Sequence, residues 1–375
     1  MLDKQTDNET IDEISSFSDS NPLIEIITID DVFKHPNADA LDLVSPDGSN
    51  VNFAIVKSET FKKGDMALWL DSVNEPMVPV SNPLFAFLSK NAKSDGYAKI
   101  KAMKLRGIMS RGLIIPFDPE FTGKTNKEIA EILKIQKYEP RLGTNRPGGS
   151  FRSGFAVSGP TNLLPCVKYD VDSLNKNWKQ IPNGTRIWVT EKIHGANSSY
   201  GWLDFNGELK FWVRSRTLFK KEPEVGTSGG LWWDVAEKFN LKEKLRSKPG
   251  MLLYGEVFGQ VQDLKYGIEE GAEFRAFDCW DSVNKVWLSF GDLIKFCEEL
   301  DIPVVPILDE IVWNTEKGIP PEVVSLSEGN TSIANANHVR EGIVVRGDYN
   351  VEISPSLSVR KIILYKLVGN GYLTR

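Results

Sequence analysis

From Leu23 to Phe117 the chain runs as short apolar stretches broken by polar turn clusters. "LIEIITID", "LDLVSP", "VNFAIVK", "DMALWLD", "AKIKAMKLRG" and "SRGLIIPF" are separated by segments such as "HPNAD", "PDGSN" and "KKGD". Short runs rich in β-branched and aromatic residues between Gly, Pro, Asn and Asp clusters predict strands, and five or six of them in a row predict a small β-barrel. Apolar spacing in "KTNKEIAEILK" (124–134) predicts a helix. Beyond about residue 160 the pattern changes. "TRIWVTEK", "NSSYGWLDF", "MLLYGEVFG", "EFRAFDCW" and "EGIVVRG" predict strands, and "FNGELKFWVRSR" a hairpin turning at Asn206-Gly207. "LWWDVAEKFNLKEKLRS" and "FGDLIKFCEEL" have helical periodicity, and an amphipathic helix start explains at least one of Trp232 and Trp233, the alternative being stacking on bases. This irregular mixture predicts an α+β fold of antiparallel sheets flanked by helices.

Between the two regions, "YEPRLGTNRPGGSFRSG" concentrates Pro, Gly, Ser and Arg and predicts a linker. The expected organisation is therefore a disordered acidic tail at 1–21, a barrel domain at 22–140, a linker at 141–157 and a second domain at 158–375. The 375 residues, 41% hydrophobic and 26% charged, suffice for two or three cores. No apolar run reaches the roughly 18–20 residues of a membrane span, and the polar N-terminus lacks a signal-peptide pattern, so an intracellular, cytoplasmic protein is expected. Cys166, Cys279 and Cys297 are odd in number without CxxC spacing and are expected to be reduced core thiols. The net charge of −6 disfavours indiscriminate polyanion binding, but residues 90–111 carry five Lys and two Arg against Asp95, a net of +6. Lys99, Lys101, Lys104, Arg106 and Arg111 there are candidate phosphate contacts. His35 is expected in a loop and His338 in a solvated turn.

The candidate chemistry begins at "EKIHG". Lys192 stands at the end of an apolar strand, where burial or neighbouring charge can tune an amine toward nucleophilic use. Gly195 follows, a residue that lets backbone approach a ligand closely. A lone K-x-x-G is ordinary, but K-x-H-G is expected by chance roughly 0.05 times in such a chain. Further along, Glu256 and Glu341 sit beside or within apolar runs, where a carboxylate needs a partner or a metal. Lys366 ends a third run, and Phe277 offers an aromatic face.

This ordered set resembles the covalent nucleotidyltransferase superfamily of ATP-dependent ligases and capping enzymes, and within it the RNA ligases. Lys192-Ile-His-Gly is similar to motif I, Arg216 to motif Ia, Glu256 to motif III, Phe277 to motif IIIa, Glu341 to motif IV and Lys366 to motif V. The resemblance implies that Lys192 carries a covalent AMP, that Arg216 and Glu256 contact ribose, and that Phe277 stacks on adenine. It further implies that Glu341 serves Mg²⁺ or Mn²⁺, that Lys366 meets the AMP phosphate, and that Glu191 and Asn197 lie near the nucleotide. His194 stands where DNA ligases and capping enzymes usually carry Asp, which points to RNA-joining enzymes. "HPNADALDLV", "KKGDMALWLDSVNEP" and "KAMKLRGIMSRGLIIP" resemble the N-terminal OB domain of the Deinococcus-type RNA ligase, and "KLVGNGYLTR" resembles its C-terminal end. Two positions depart from the pattern or divide it. Motif V often has two lysines one residue apart, but position 364 is Leu, leaving Lys361 as the alternative; Arg214 competes with Arg216. The expected activity is sealing of 3′-hydroxyl to 5′-phosphate ends at nicks in duplex RNA or RNA/DNA hybrid, by a monomer. The alternatives are a DNA-joining or capping-type enzyme, or an OB protein with a dead nucleotide domain.

Overall fold

The computed structural model describes residues 22–46, 53–138, 156–157, 169–205, 207–216, 218–224, 229–354 and 357–375. The tail, most of the linker, Cys166 and Asn206 lie outside the described residues.

The N-terminal domain is built on Met66–Leu70, which pairs antiparallel with Glu25–Thr28 on one side and Leu113–Pro116 on the other. Because successive strand residues face opposite ways, this one strand serves two cores. Leu68 and Leu70 pack with Val78, Phe85 and Phe121, while Ala67 and Trp69 pack with Ile29, Val44 and Ile114. A meander of Asp31–Lys34, Leu41–Ser45 and Ala54–Lys57 covers the second core. Pro76–Pro79, between Tyr97–Lys99 and Gln136–Lys137, contributes to the first. The expected barrel is thus realised as short antiparallel sheets, with no closed ring of pairing among the described residues. The single strand expected over 98–107 divides into Tyr97–Lys99 and Met103–Leu105; the latter forms a hairpin with Ile108–Ser110 that turns on Arg106 and Gly107, both at positive φ. The predicted helix forms at Asn126–Ile132, with Thr125 and Glu128 closing a capping box.

The second domain holds two sheets. The larger has the order Ala156–Val157, Phe219–Lys220, Glu208–Ser215, Ala196–Phe205, Met251–Gly259, Ala272–Asp281 and Val286–Trp287, all antiparallel. The smaller runs Asp172–Ser173, Leu357–Val368, Gly342–Ser354, Arg186–Lys192 and Ile307–Val312, antiparallel except for its first pair. Helices Leu231–Lys238 and Phe290–Glu299 cover the larger sheet. Trp232 and Trp233 are buried there, their indole N–H groups donating to the carbonyls of Asn197 and Lys220. The long helix expected after Leu231 breaks at Asn240, whose left-handed backbone (φ 51°) redirects the chain. Cys279 and Cys297 are free and buried as expected, and burial pushes the Cys297 thiol up to about 12.

Candidate active site

Strand Arg186–Lys192 belongs to the smaller sheet and strand Ala196–Phe205 to the larger, so Lys192-Ile193-His194-Gly195 is the passage between them. The passage is tight. A Cβ on Gly195 would lie 2.2 Å from the Val257 carbonyl oxygen and 3.0 Å from Glu256 Cγ, which is why glycine occupies the position. Tyr266 Oη accepts the His194 backbone N–H at 2.7 Å, and the Gln262 amide donates to the Gly195 carbonyl.

The pairing of strands brings the distant motif residues to this passage. Lys192 lies opposite Gly342, so Glu341 arrives beside it with 2.7 Å between Lys192 Nζ and Glu341 Oε1. Glu256 pairs with Asn197, and its carboxylate accepts the Gly195 N–H. Lys366 pairs with Val344 and with Ser173 on the other side.

The charges are strongly coupled. Burial pushes Glu256 up to about 7 against the pull of Lys192. Burial would also raise Glu341, but Lys192 and His194 hold it at about 2. Lys192 is opposed in the same way: burial disfavours the ammonium, yet Glu341 and Glu256 keep it above its ordinary value. For Lys366, burial and then the charge of Lys192 outweigh the opposing pull of Asp170 and Glu341 and bring it down to about 8.

Glu341 Oε2 is buried with no hydrogen-bond partner. Among the described residues no group of three or more His, Cys, Asp or Glu side chains is arranged to hold a metal alone. A divalent cation at Glu341 fits these residues if the carboxylate supplies one edge and phosphate oxygens and water the rest, as Mg²⁺ commonly requires.

Several expected residues are otherwise engaged. Glu191 is 1% exposed and accepts from the Thr331 hydroxyl and the Ser332 N–H (2.6 Å). Phe277 is buried against Tyr169, ring centroids 4.7 Å apart, so a base would have to displace that tyrosine to stack on it. Arg214 is buried and donates to the Arg216 carbonyl, whereas the partly exposed Arg216 pairs with Asp170 at 2.8 Å. Lys361 and Lys366 are five residues apart on one strand and face opposite ways, so Lys361 does not substitute for the lysine absent at 364.

Of the basic segment, Lys101, Lys104 and Arg106 are exposed. Lys99 is instead paired with Glu75 at 2.6 Å and lies over the Tyr138 ring. Arg111 corrects the expectation of a phosphate contact: it is 2% exposed, its guanidinium turned into the second domain toward Val368 and Asn370. His35 is a buried loop residue whose Nδ1 accepts the Asn37 N–H. His338 is half-buried and lies edge-on to Tyr266, centroids 4.5 Å apart.

Residues 185–363 match the RNA ligase family model, and residues 23–117 an OB-fold domain model. Residues 185–363 thus form an RNA ligase domain, preceded by an OB-fold domain. The ligase has no match among curated proteins. Its fold is similar to solved structures of an RNA ligase from Naegleria gruberi. A lysine-to-alanine mutant with ATP and Mn is 23% identical, with a TM-score of 0.75, covering 94% of this chain and 97% of that one. A glutamate-to-alanine mutant with AMP and Mn is 22% identical with a TM-score of 0.74, and the same enzyme with PPi is 23% identical with a TM-score of 0.74; each covers 94% of this chain and 98% of that one.

The motif reading missed Tyr266, Asp263 and Tyr372, all of which touch His194. No short-range pattern marks them, since their contacts span 69 to 178 residues of chain.

Proposed function

We propose that this RNA ligase is ATP-dependent, forms a lysyl-AMP on Lys192, and seals 3′-hydroxyl to 5′-phosphate ends at nicks in duplex RNA or RNA/DNA hybrid. The observation that carries the reading is the convergence of Lys192, Glu256 and Glu341 on one glycine-constrained passage, with Lys366 close enough for its titration to feel the nucleophile. The ATP-, AMP- and PPi-bound states of the Naegleria enzyme support the choice of nucleotide, and its Mn supports a divalent metal.

In the first step Lys192 Nζ, as the neutral amine, attacks the α-phosphorus; a P–N bond forms and pyrophosphate leaves. A 5′-phosphate oxygen then attacks the same phosphorus, breaking the P–N bond and returning the lysine. Finally a 3′-hydroxyl attacks the 5′-phosphorus, forming the phosphodiester and releasing AMP. Glu341 holds Lys192 as an ammonium at rest, so the amine becomes nucleophilic when that carboxylate turns elsewhere. A metal bound through Glu341 would neutralise phosphate charge in the transfer. Lys366 supplies positive charge for the α-phosphate, and Glu256 and Arg216 are assigned to ribose. Phe277 is assigned to adenine once Tyr169 moves, with Glu191 and Asn197 supporting the pocket. Lys101, Lys104 and Arg106 offer the duplex a basic hairpin.

Incubation with α-labelled ATP or GTP and Mg²⁺ or Mn²⁺, then with nicked RNA, hybrid and DNA duplexes, tests the reading. A labelled protein formed from ATP, and sealing of nicks with RNA ends, are expected. Labelling by GTP alone, or sealing confined to DNA, would overturn it.

A further inference from the structure

The ligase reading leaves unexplained why the turn at residues 369–375, which an arginine of the OB domain grips, places Tyr372 against His194. The imidazole is held at both nitrogens. Nε2 lies 2.8 Å from Asp263 Oδ1, and Nδ1 lies 3.1 Å from the Tyr372 hydroxyl. Arg375 closes the arrangement, donating to the other Asp263 oxygen at 2.7 Å with its guanidinium 4.3 Å over the Tyr372 ring.

The turn that carries Tyr372 is itself anchored. Glu328 accepts the backbone N–H groups of Asn370 (2.6 Å) and Gly371 (3.0 Å), and the Gly369 N–H reaches the Glu341 carbonyl at 2.9 Å. From the OB domain, Arg111 donates to the Val368 carbonyl at 2.6 Å and to Asn370 Oδ1 at 2.9 Å. Arg111 has little freedom: Trp69 Nε1 donates to its carbonyl, and the next residue is Gly112 at φ +106°, where a Cβ would lie 2.2 Å from the Leu70 oxygen.

A ring bonded at both nitrogens cannot rotate without losing both bonds, so its orientation is set before substrate arrives. We propose that the C-terminal turn is a positioning device for His194, with Tyr372 as the positioning residue, and that Arg111 ties the device to the docked OB domain. The OB domain then acts on transfer of AMP to RNA through Asn370 and Tyr372, in addition to any grip on the duplex. That His194, two residues from the nucleophile Lys192, addresses phosphate in that transfer rests on the ligase reading; how the ring is held does not.

The chain has three histidines, so ring-¹⁵N labelling gives few signals, and His194→Ala assigns the one of interest. Tyr372→Phe keeps the ring and removes the hydroxyl; it should shift the His194 signals and leave those of His35 and His338 in place. Arg111→Gln should shift the same signals, with Asn370→Ala as a milder cut of that link should the arginine variant fail to fold. With a 5′-phosphate nick, Tyr372→Phe should slow AMP transfer about three- to tenfold, the effect of one hydrogen bond, with self-adenylylation nearly unchanged. In a His194→Ala background it should slow nothing further. Unmoved His194 signals, or an equal loss in both backgrounds, overturns the proposal. A wild-type protein that forms no lysyl-AMP sinks the ligase reading instead, and the ring signals still decide how His194 is held.

Discussion

The 2.7 Å pair between Lys192 and Glu341 makes two roles testable by single changes. Lys192→Ala should form no AMP adduct yet close a nick whose 5′ end is already adenylylated, because the last step forms its bond without the amine; adduct formation by this variant would refute the assignment. Glu341→Gln keeps shape and removes charge, so adenylylation should fall and the metal concentration for half-maximal rate should rise. An unchanged metal titration would mark the carboxylate as purely structural. Lys366 supplies a pH signature. Its proton is lost near pH 8 in the free protein, and bound phosphate would raise that value, so affinity is highest below about 8 and falls as pH rises beyond it. Binding of a non-hydrolysable ATP analogue, measured by calorimetry, should weaken by up to about tenfold per pH unit there. Lys366→Arg, charged throughout, should flatten the profile; the same slope in that variant would exclude Lys366 as its source.

At the scale of elements, what the sequence reveals depends on how local the determinant is. Glu256 lies inside the apolar strand Met251–Gly259 and Glu341 directly before the apolar start of Gly342–Ser354, so both the elements and their carboxylates could be read directly. Asp31–Lys34 and Pro76–Pro79 were not evident, being four residues long with Lys or Pro in them; they are strands because neighbours pair with them. Arg111 misled for a related reason. Its local setting matches the basic segment around it, and only docking 257 residues away buries it. Gly195 could be read as a close-approach residue, and the structure names what it approaches: the backbone of the neighbouring strand. Gly195→Ala would force Val257 and Glu256 apart, at a cost of about 1–3 kcal/mol. Thermal melting should show a loss of several degrees, together with impaired adenylylation; a variant with wild-type stability would mean the passage can widen.

For the whole molecule, the two domains share more than a linker. Arg111 reaches the C-terminal turn, Lys176 of the ligase domain pairs with Glu25 of the OB domain, and Asp71, buried, feels the charges of Lys176, Arg111 and Lys366. The chain also enters the larger sheet as early as Ala156–Val157, which pairs with Phe219–Lys220. A fragment beginning near residue 150 therefore retains that strand and every motif residue, whereas one beginning at 158 loses the sheet edge. The longer fragment should label itself with ATP, since Lys192, Glu256, Glu341 and Lys366 all remain. It should transfer AMP poorly to 5′-phosphate nicks for two separable reasons. The loss of Lys101, Lys104 and Arg106 removes phosphate contacts, so the full chain should show the steeper fall in rate with salt. The loss of Arg111 loosens the C-terminal turn, a defect that lower salt should not repair. Replacing Lys101, Lys104 and Arg106 by Ala in the full chain isolates the first reason, and Arg111→Gln the second. If the fragment matches the full chain on ordinary nicks across a salt series, the OB domain neither grips the duplex nor orders the site, and both assignments fall together.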